Sequence, residues 1–159
     1  MGSASFVNAT HSVGINSFHF EWCPKYRYKC MRKPEIAAEM EQILRCIAAE
    51  KGIVVIKIAV DADHIHLLVS IPFSMSVSQA LQFLKGGSSF QIFRLHPNFR
   101  LRYPRGHFWS PGHFSRSLSN VSSKTVEHYL DCHDSAKLNE TISEGKTEAR
   151  QLSLASFQS

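Results

Sequence analysis

His64-Ile65-His66-Leu67-Leu68-Val69-Ser70 reads as a buried strand that carries two imidazoles. It lies between the turn Asp61-Ala62-Asp63 and the strand-ending Ile71-Pro72. Side chains alternate across a strand, so His64 and His66 project from one face and Ile65, Leu67 and Val69 from the other. Neutral ring nitrogens facing one region suit a divalent metal. Taken alone, a His-x-His pair is as well explained by a polar sheet face, because short motifs match by chance. The rest of the chain decides the weight it carries.

Immediately before it, Ile53 to Val60 is β-branched and strand-like, so the two strands form an antiparallel inner hairpin across the Asp-Ala-Asp turn. Further upstream, Ser17 to Cys23 alternates, with Phe18, Phe20 and Trp22 on one face and His19, Glu21 and Cys23 on the other. Pro24-Lys25-Tyr26-Arg27-Tyr28-Lys29 follows as an extended segment whose bases and aromatics serve phosphates and stacked bases alike, or simply a solvated strand extension.

Pro34 at a first helical position opens a helix with Ile36, Met40, Ile43, Leu44 and Ile47 at helical spacing, and Gly52 stops it. Beyond the histidine strand, Ser74 and Ser76 offer N-cap hydroxyls to a second helix running to about Leu95 before Pro97. Val77, Leu81, Leu84, Phe90 and Phe93 are assigned to its apolar face. Inside it lies Lys85-Gly86-Gly87-Ser88-Ser89. Two interior glycines cost helix stability, so they point to a kink or a close backbone approach, either to a phosphate or in tight packing. Arg94, Arg100, Arg102 and Arg105 come next, interleaved with His96, Phe99 and Tyr103, a pattern shared by nucleic-acid contacts and by solvated loops.

Phe108-Trp109-Ser110-Pro111-Gly112-His113-Phe114 reads as an aromatic strand broken by a Pro-Gly turn, with another strand from Phe114 to about Leu118. Asn120 or Ser122 then caps a last helix, on which Tyr129 and His133 share a face four residues apart. Residues 1–14 are small, polar and aperiodic and are assigned to a flexible arm; 15–137 form one domain; 138–159 form a polar tail.

Composition narrows the class. The chain has 159 residues, 43% of them hydrophobic, enough for one core without disulfides or metal staples. Eighteen basic against 13 acidic side chains give a formal charge of +5, which suits an anionic partner. Cys23, Cys30, Cys46 and Cys132 are irregularly spaced, and no signal peptide or long apolar span is present, which reads as a cytoplasmic protein with free thiols and no membrane partner.

The segments HIH, CPKYR, LKGGSS, FWSPGHF and VEHYLDCH occur in the order and spacing of the small HUH single-tyrosine transposases of the TnpA type, which residues 15–134 resemble. The resemblance implies an α+β fold: an antiparallel β-sheet with flanking helices in a ferredoxin-like HUH endonuclease core, plus a C-terminal catalytic helix. It implies Tyr129 as nucleophile and His64, His66 and His133 as metal ligands; the basic and aromatic residues Lys25, Tyr26, Arg27, Lys85, Arg94, Arg100, Arg102 and Arg105 are assigned as DNA contacts. His133 stands where the family usually has glutamine. The implied cofactor is one divalent ion per site, Mg²⁺ or Mn²⁺, and an imidazole at position 133 admits softer ions such as Co²⁺, Ni²⁺ or Zn²⁺. The implied activity is cleavage and rejoining of single-stranded DNA with hairpin ends by a homodimer, through a covalent 5′-phosphotyrosine. A palindrome-associated tyrosine transposase and an inactive DNA-hairpin-binding protein are the alternatives.

Overall fold

A computed structural model of the chain describes residues 16–118, together with the backbone of 7–9 and 12–14. Tyr129 and His133 lie outside the described residues, as does the helix assigned to them.

Four strands form the main sheet: β3 (Ser17–Trp22), β4 (Val54–Val60), β5 (Ile65–Ser70) and β6 (Phe114–Ser117). Their order is β4-β5-β3-β6 and every pairing is antiparallel, so the histidine strand and the aromatic strand are the two central ones. Two helices, α1 (Pro34–Glu50) and α2 (Val77–Leu95), pack on one face. The α+β architecture with an antiparallel sheet and flanking helices is therefore as the sequence implies.

Alternation decides which side chains meet the helices. Phe18, Phe20 and Trp22 are registered opposite Val69, Leu67 and Ile65, so all six occupy the helix-facing side. There they pack with Met40, Ile43, Leu44, Leu81, Leu84 and Ile92. A bulge between Val55 and Lys57 adds one residue to β4. It lets Ile56 join Leu68 and Leu118 in a small apolar cluster on the opposite face.

The helices follow their local signals. Pro34 stands at the first position of α1, and Gly52, at φ +70, turns the chain out of it. At the start of α2, the Ser76 hydroxyl accepts from the Gln79 amide while the Gln79 side chain accepts from the Ser76 amide, a complete capping box. The two interior glycines have different roles. A Cβ on Gly87 would stand 2.8 Å from Ile47 Cδ1, so this residue lets α2 approach α1; a Cβ on Gly86 would meet nothing within 4 Å.

Three expectations need correction. Phe90 is 61% exposed, because nine residues, two and a half turns, separate it from the buried Leu81 and place it on the far side of α2. The segment after Cys23 is not extended: Lys25–Arg27 forms a 3₁₀ turn in which Tyr26 and Arg27 both adopt positive φ. Phe108–His113 forms no strand beyond one bridge, Pro24 to Trp109. Before residue 15, β1 (Val7–Ala9) and β2 (Ser12–Gly14) pair as a separate two-stranded sheet. Three residues a side are too few for a period to be legible in sequence.

Candidate active site and nucleic-acid interface

β5 places both histidines of the His-x-His pair on the face away from α1 and α2. Their ring centroids are 4.8 Å apart and the rings meet edge to face. His64 stands one residue before the strand, where the Asp61 amide donates to its carbonyl and closes the turn. Its Nδ1 lies 2.8 Å from Asp63 Oδ1, and its Nε2 lies 3.5 Å from Asp61 Oδ2. The two turn aspartates thus orient the ring. The Asp63 carboxyl is held below the usual carboxylate range, chiefly by its hydrogen bond with His64, with the His64, Arg27 and Lys29 charges adding to it.

Pairing brings further donors to the same face. Glu21 is registered opposite His66, and Phe114 opposite Glu21. His19 Nε2 lies 3.4 Å from His66 Nδ1, and Glu21 Oε2 lies 3.6 Å from that same nitrogen. The alternation of β3 already assigns His19 and Glu21 to one face; the strand register that puts them beside His66 is a property of the sheet.

The three motifs CPKYR, LKGGSS and FWSPGHF converge at the end of this face. The Lys25 amide donates to the Phe108 carbonyl at 2.8 Å, and the Ser110 amide to the Cys23 carbonyl at 2.9 Å. From α2, Lys85 Nζ donates to the carbonyls of Ser110, Pro111 and Gly112 at 2.8, 3.3 and 3.2 Å. An ammonium has three donors, and these carbonyls take all of them. Lys85, expected at a DNA phosphate, instead fastens the Ser110–Gly112 loop. Burial pulls its pKa below the ordinary lysine value. One turn further along α2, the buried Ser88 hydroxyl accepts from Trp109 Nε1 at 2.8 Å and donates to the Leu84 carbonyl at 2.6 Å. Behind the loop, Cys30 Sγ and the Tyr103 hydroxyl are 2.8 Å apart in a buried pair, and burial raises the pKa of both.

The loop so fastened walls a cavity of about 400 Å³ lined also by Glu21, His64, His113 and Phe114. Arg27 closes its rim, 3.9 Å from Asp63. Tyr26 is 57% exposed beside it, and Lys25 Nζ stands 5.3 Å over the Tyr26 ring. Of Lys25, Tyr26 and Arg27, Arg27 lines the cavity, and Lys25 and Tyr26 precede it in the same turn. Arg94, Arg100, Arg102 and Arg105 are exposed but belong to the end of α2 and the segment after it. Arg94 lies over the Phe90 ring at 5.8 Å and Arg100 over the Phe93 ring at 5.5 Å. None of the four lines the cavity.

An antiparallel sheet face that carries imidazoles and carboxylates beside a cavity edged by Arg27 defines an α+β domain with nitrogen and carboxylate donors gathered on one side. The description "Transposase IS200 like" belongs to the family model that matches residues 13–133. The chain is 31% identical over 118 residues to the ISDra2 transposase TnpA of Deinococcus radiodurans, covering 74% of this chain and 84% of that protein. It is 28% identical over 126 residues to the transposase for insertion sequence element IS200 of Salmonella typhimurium, covering 79% and 82%. Among solved structures, a candidate transposase from Deinococcus radiodurans matches with a TM-score of 0.65 and 24% identity, over 81% of this chain and 98% of that one. A REP-associated tyrosine transposase bound to a REP hairpin matches with a TM-score of 0.53 and 12% identity, over 78% and 67%. The chain belongs to the IS200-like transposase family. It is thus a DNA transposase, and no described helix is long and apolar enough to cross a membrane.

Proposed function

We propose that this transposase cuts and rejoins single-stranded DNA at the ends of an insertion element, using Tyr129 as nucleophile beside a divalent ion held by His64 and His66. The observation that carries the reading is the pair of imidazoles 4.8 Å apart on the open sheet face, next to a cavity with Arg27 at its rim. The donor set fits a metal: aspartates orient His64, and Glu21 and a further histidine stand beside His66. His133 would add a third imidazole from the last helix.

A phosphodiester resists attack because its oxygens repel the nucleophile. A bound divalent ion would neutralise those oxygens and orient the phosphate. Arg27 at the rim, with Lys25 in the same turn, draws the backbone in, and the exposed Tyr26 and Phe114 rings offer stacking surfaces for unpaired bases. The Tyr129 phenolate oxygen then bonds to phosphorus as the bond to the 3′ oxygen breaks. The 3′ oxygen takes a proton and leaves as a hydroxyl, and the 5′ phosphate stays on the tyrosine. A 3′-hydroxyl from another strand reverses the step, so DNA is rejoined without ATP. Arg94, Arg100, Arg102 and Arg105, away from the cavity, extend the contact surface toward a hairpin. The working form is a cytoplasmic homodimer.

The test is incubation with labelled single-stranded DNA carrying an element end, with Mg²⁺ or Mn²⁺, followed by a denaturing gel. A covalent adduct is expected from the wild type and not from Tyr129→Phe. Tight hairpin binding with no adduct under either metal would refute the reading and leave an inactive hairpin-binding protein.

A further inference from the structure

The Ser110–Gly112 loop buries little of itself. Pro111, Gly112, His113 and Phe114 are all exposed, a Cβ on Gly112 would meet nothing within 4 Å, and Pro111 brings no N–H. Its course nevertheless bears on the site. The loop leads through His113 into β6, where Phe114 is registered opposite Glu21 and its ring lies 5.8 Å from that of His19. Ser110, Gly112, His113 and Phe114 line the cavity that His64 lines.

Beyond the bond from the Ser110 amide to the Cys23 carbonyl, the anchors of this segment come from α2. Lys85 and Ser88 stand three residues apart, and so on one helix face. They grip consecutive residues: the Ser88 hydroxyl accepts from the Trp109 indole, and Lys85 Nζ donates to the carbonyls of Ser110, Pro111 and Gly112. Three carbonyls turned toward one nitrogen suit the three donors of an ammonium, and once they are made no N–H is left for a phosphate. The place of Lys85 follows from the helix packing, because the next residue but one, Gly87, is where α2 comes against Ile47 of α1.

We propose that Lys85 is a positioning residue of the transposase: it acts on the reaction through the Ser110–Gly112 carbonyls, which hold His113 and Phe114 in the cavity wall, and it makes no contact with a DNA phosphate. The inference rests on the reading that the cavity beside His64 receives the single strand. A wall residue displaced by about 1 Å misaligns the strand it abuts, which can slow a reaction by up to about a hundredfold without weakening the binding of DNA by the same factor.

The rate of adduct formation on the full chain, measured against the concentration of single-stranded DNA, tests this. Lys85→Met keeps the stem and removes the donors; it is expected to lower the maximal rate about tenfold or more and to change the half-saturating concentration less than about threefold. Lys85→Arg keeps the charge, but its planar fork does not converge on three carbonyls, so a loss of about tenfold is expected there as well. Binding of an unpaired oligonucleotide at a series of salt concentrations gives the second readout. The slope of log K against log salt should match the wild type in Lys85→Met and be shallower by about 0.7 in Arg27→Gln. Circular dichroism and melting temperature establish that each variant is folded at the assay temperature, and where Lys85→Met is not, Lys85→Arg supplies the comparison of rates. A wild-type rate in Lys85→Arg, or a slope shallower by about 0.7 in Lys85→Met, marks a phosphate contact and overturns the inference while leaving the proposed function standing. An unaltered maximal rate in Lys85→Met does the same. A wild type that forms no adduct overturns both.

Discussion

Replacing Ser88 by alanine isolates the bond that joins α2 to the cavity wall. The Ser88 hydroxyl is fully buried and accepts from the indole of Trp109, itself 6% exposed, so its removal leaves an N–H that solvent does not reach. An orphaned buried donor costs about 1–3 kcal/mol. Alanine's better helix propensity returns about 0.5 kcal/mol. The net expectation is a loss of about 1–2 kcal/mol, or a melting temperature lower by roughly 3–6 °C for a chain of this size. Trp109→Phe removes the donor as well as the ring packing against Phe108 at 4.6 Å and Trp22 at 5.9 Å, and costs about 2–3 kcal/mol. Ser88 is not orphaned by that change, because its hydroxyl still donates to the Leu84 carbonyl. The double variant should therefore be less destabilised than the sum of the singles by about 1 kcal/mol. Urea unfolding followed by far-ultraviolet circular dichroism measures the cycle without relying on the indole that is removed. A Ser88→Ala variant as stable as the wild type, or a cycle that adds without coupling, would refute the reasoning.

Two further perturbations probe the helix interface and the histidine turn. Gly86→Ala should stabilise by about 1 kcal/mol, since it meets only open space and gains helix propensity. Gly87→Ala should forfeit that gain against the buried Ile47 side chain and recover it in an Ile47→Val background, and equal melting temperatures for the two alanine variants would count against the packing role. Because the Asp63 pKa is depressed in the folded state, the unfolded chain takes up the proton first as pH falls. The stability that Asp63 contributes is thus present above about pH 4, the ordinary aspartate value, and lost as pH drops through the lower folded value. Asp63→Asn should be less stable than the wild type at pH 7, and the gap should close at pH 2–3 in urea melts; a gap independent of pH would exclude the His64 bond as its source.

Much of this architecture is legible in the chain because its signals are local. The alternation in Ser17–Trp22 and Ile65–Ser70, the proline at the start of α1 and the Ser76 N-cap each depend on a few neighbouring residues, and each is realised in the structure. Phe90 fails on the same count: a hydrophobic side chain near a helical period is assigned inward, although its angular position places it outside. The 3₁₀ turn at Lys25–Arg27 escapes sequence reading because Tyr26 and Arg27 are residue types that seldom adopt positive φ.

By itself the sequence determined the α+β pattern, the shared face of His64 and His66, and the motifs that place the chain among the IS200-like transposases. Only the tertiary structure decided that Lys85 binds three loop carbonyls, that Gly87 makes room for Ile47, and that Glu21 and His19 stand against His66. Those are contacts between residues 25 to 47 positions apart in the chain. Their geometry comes from strand register and helix approach, which no local window of the sequence contains.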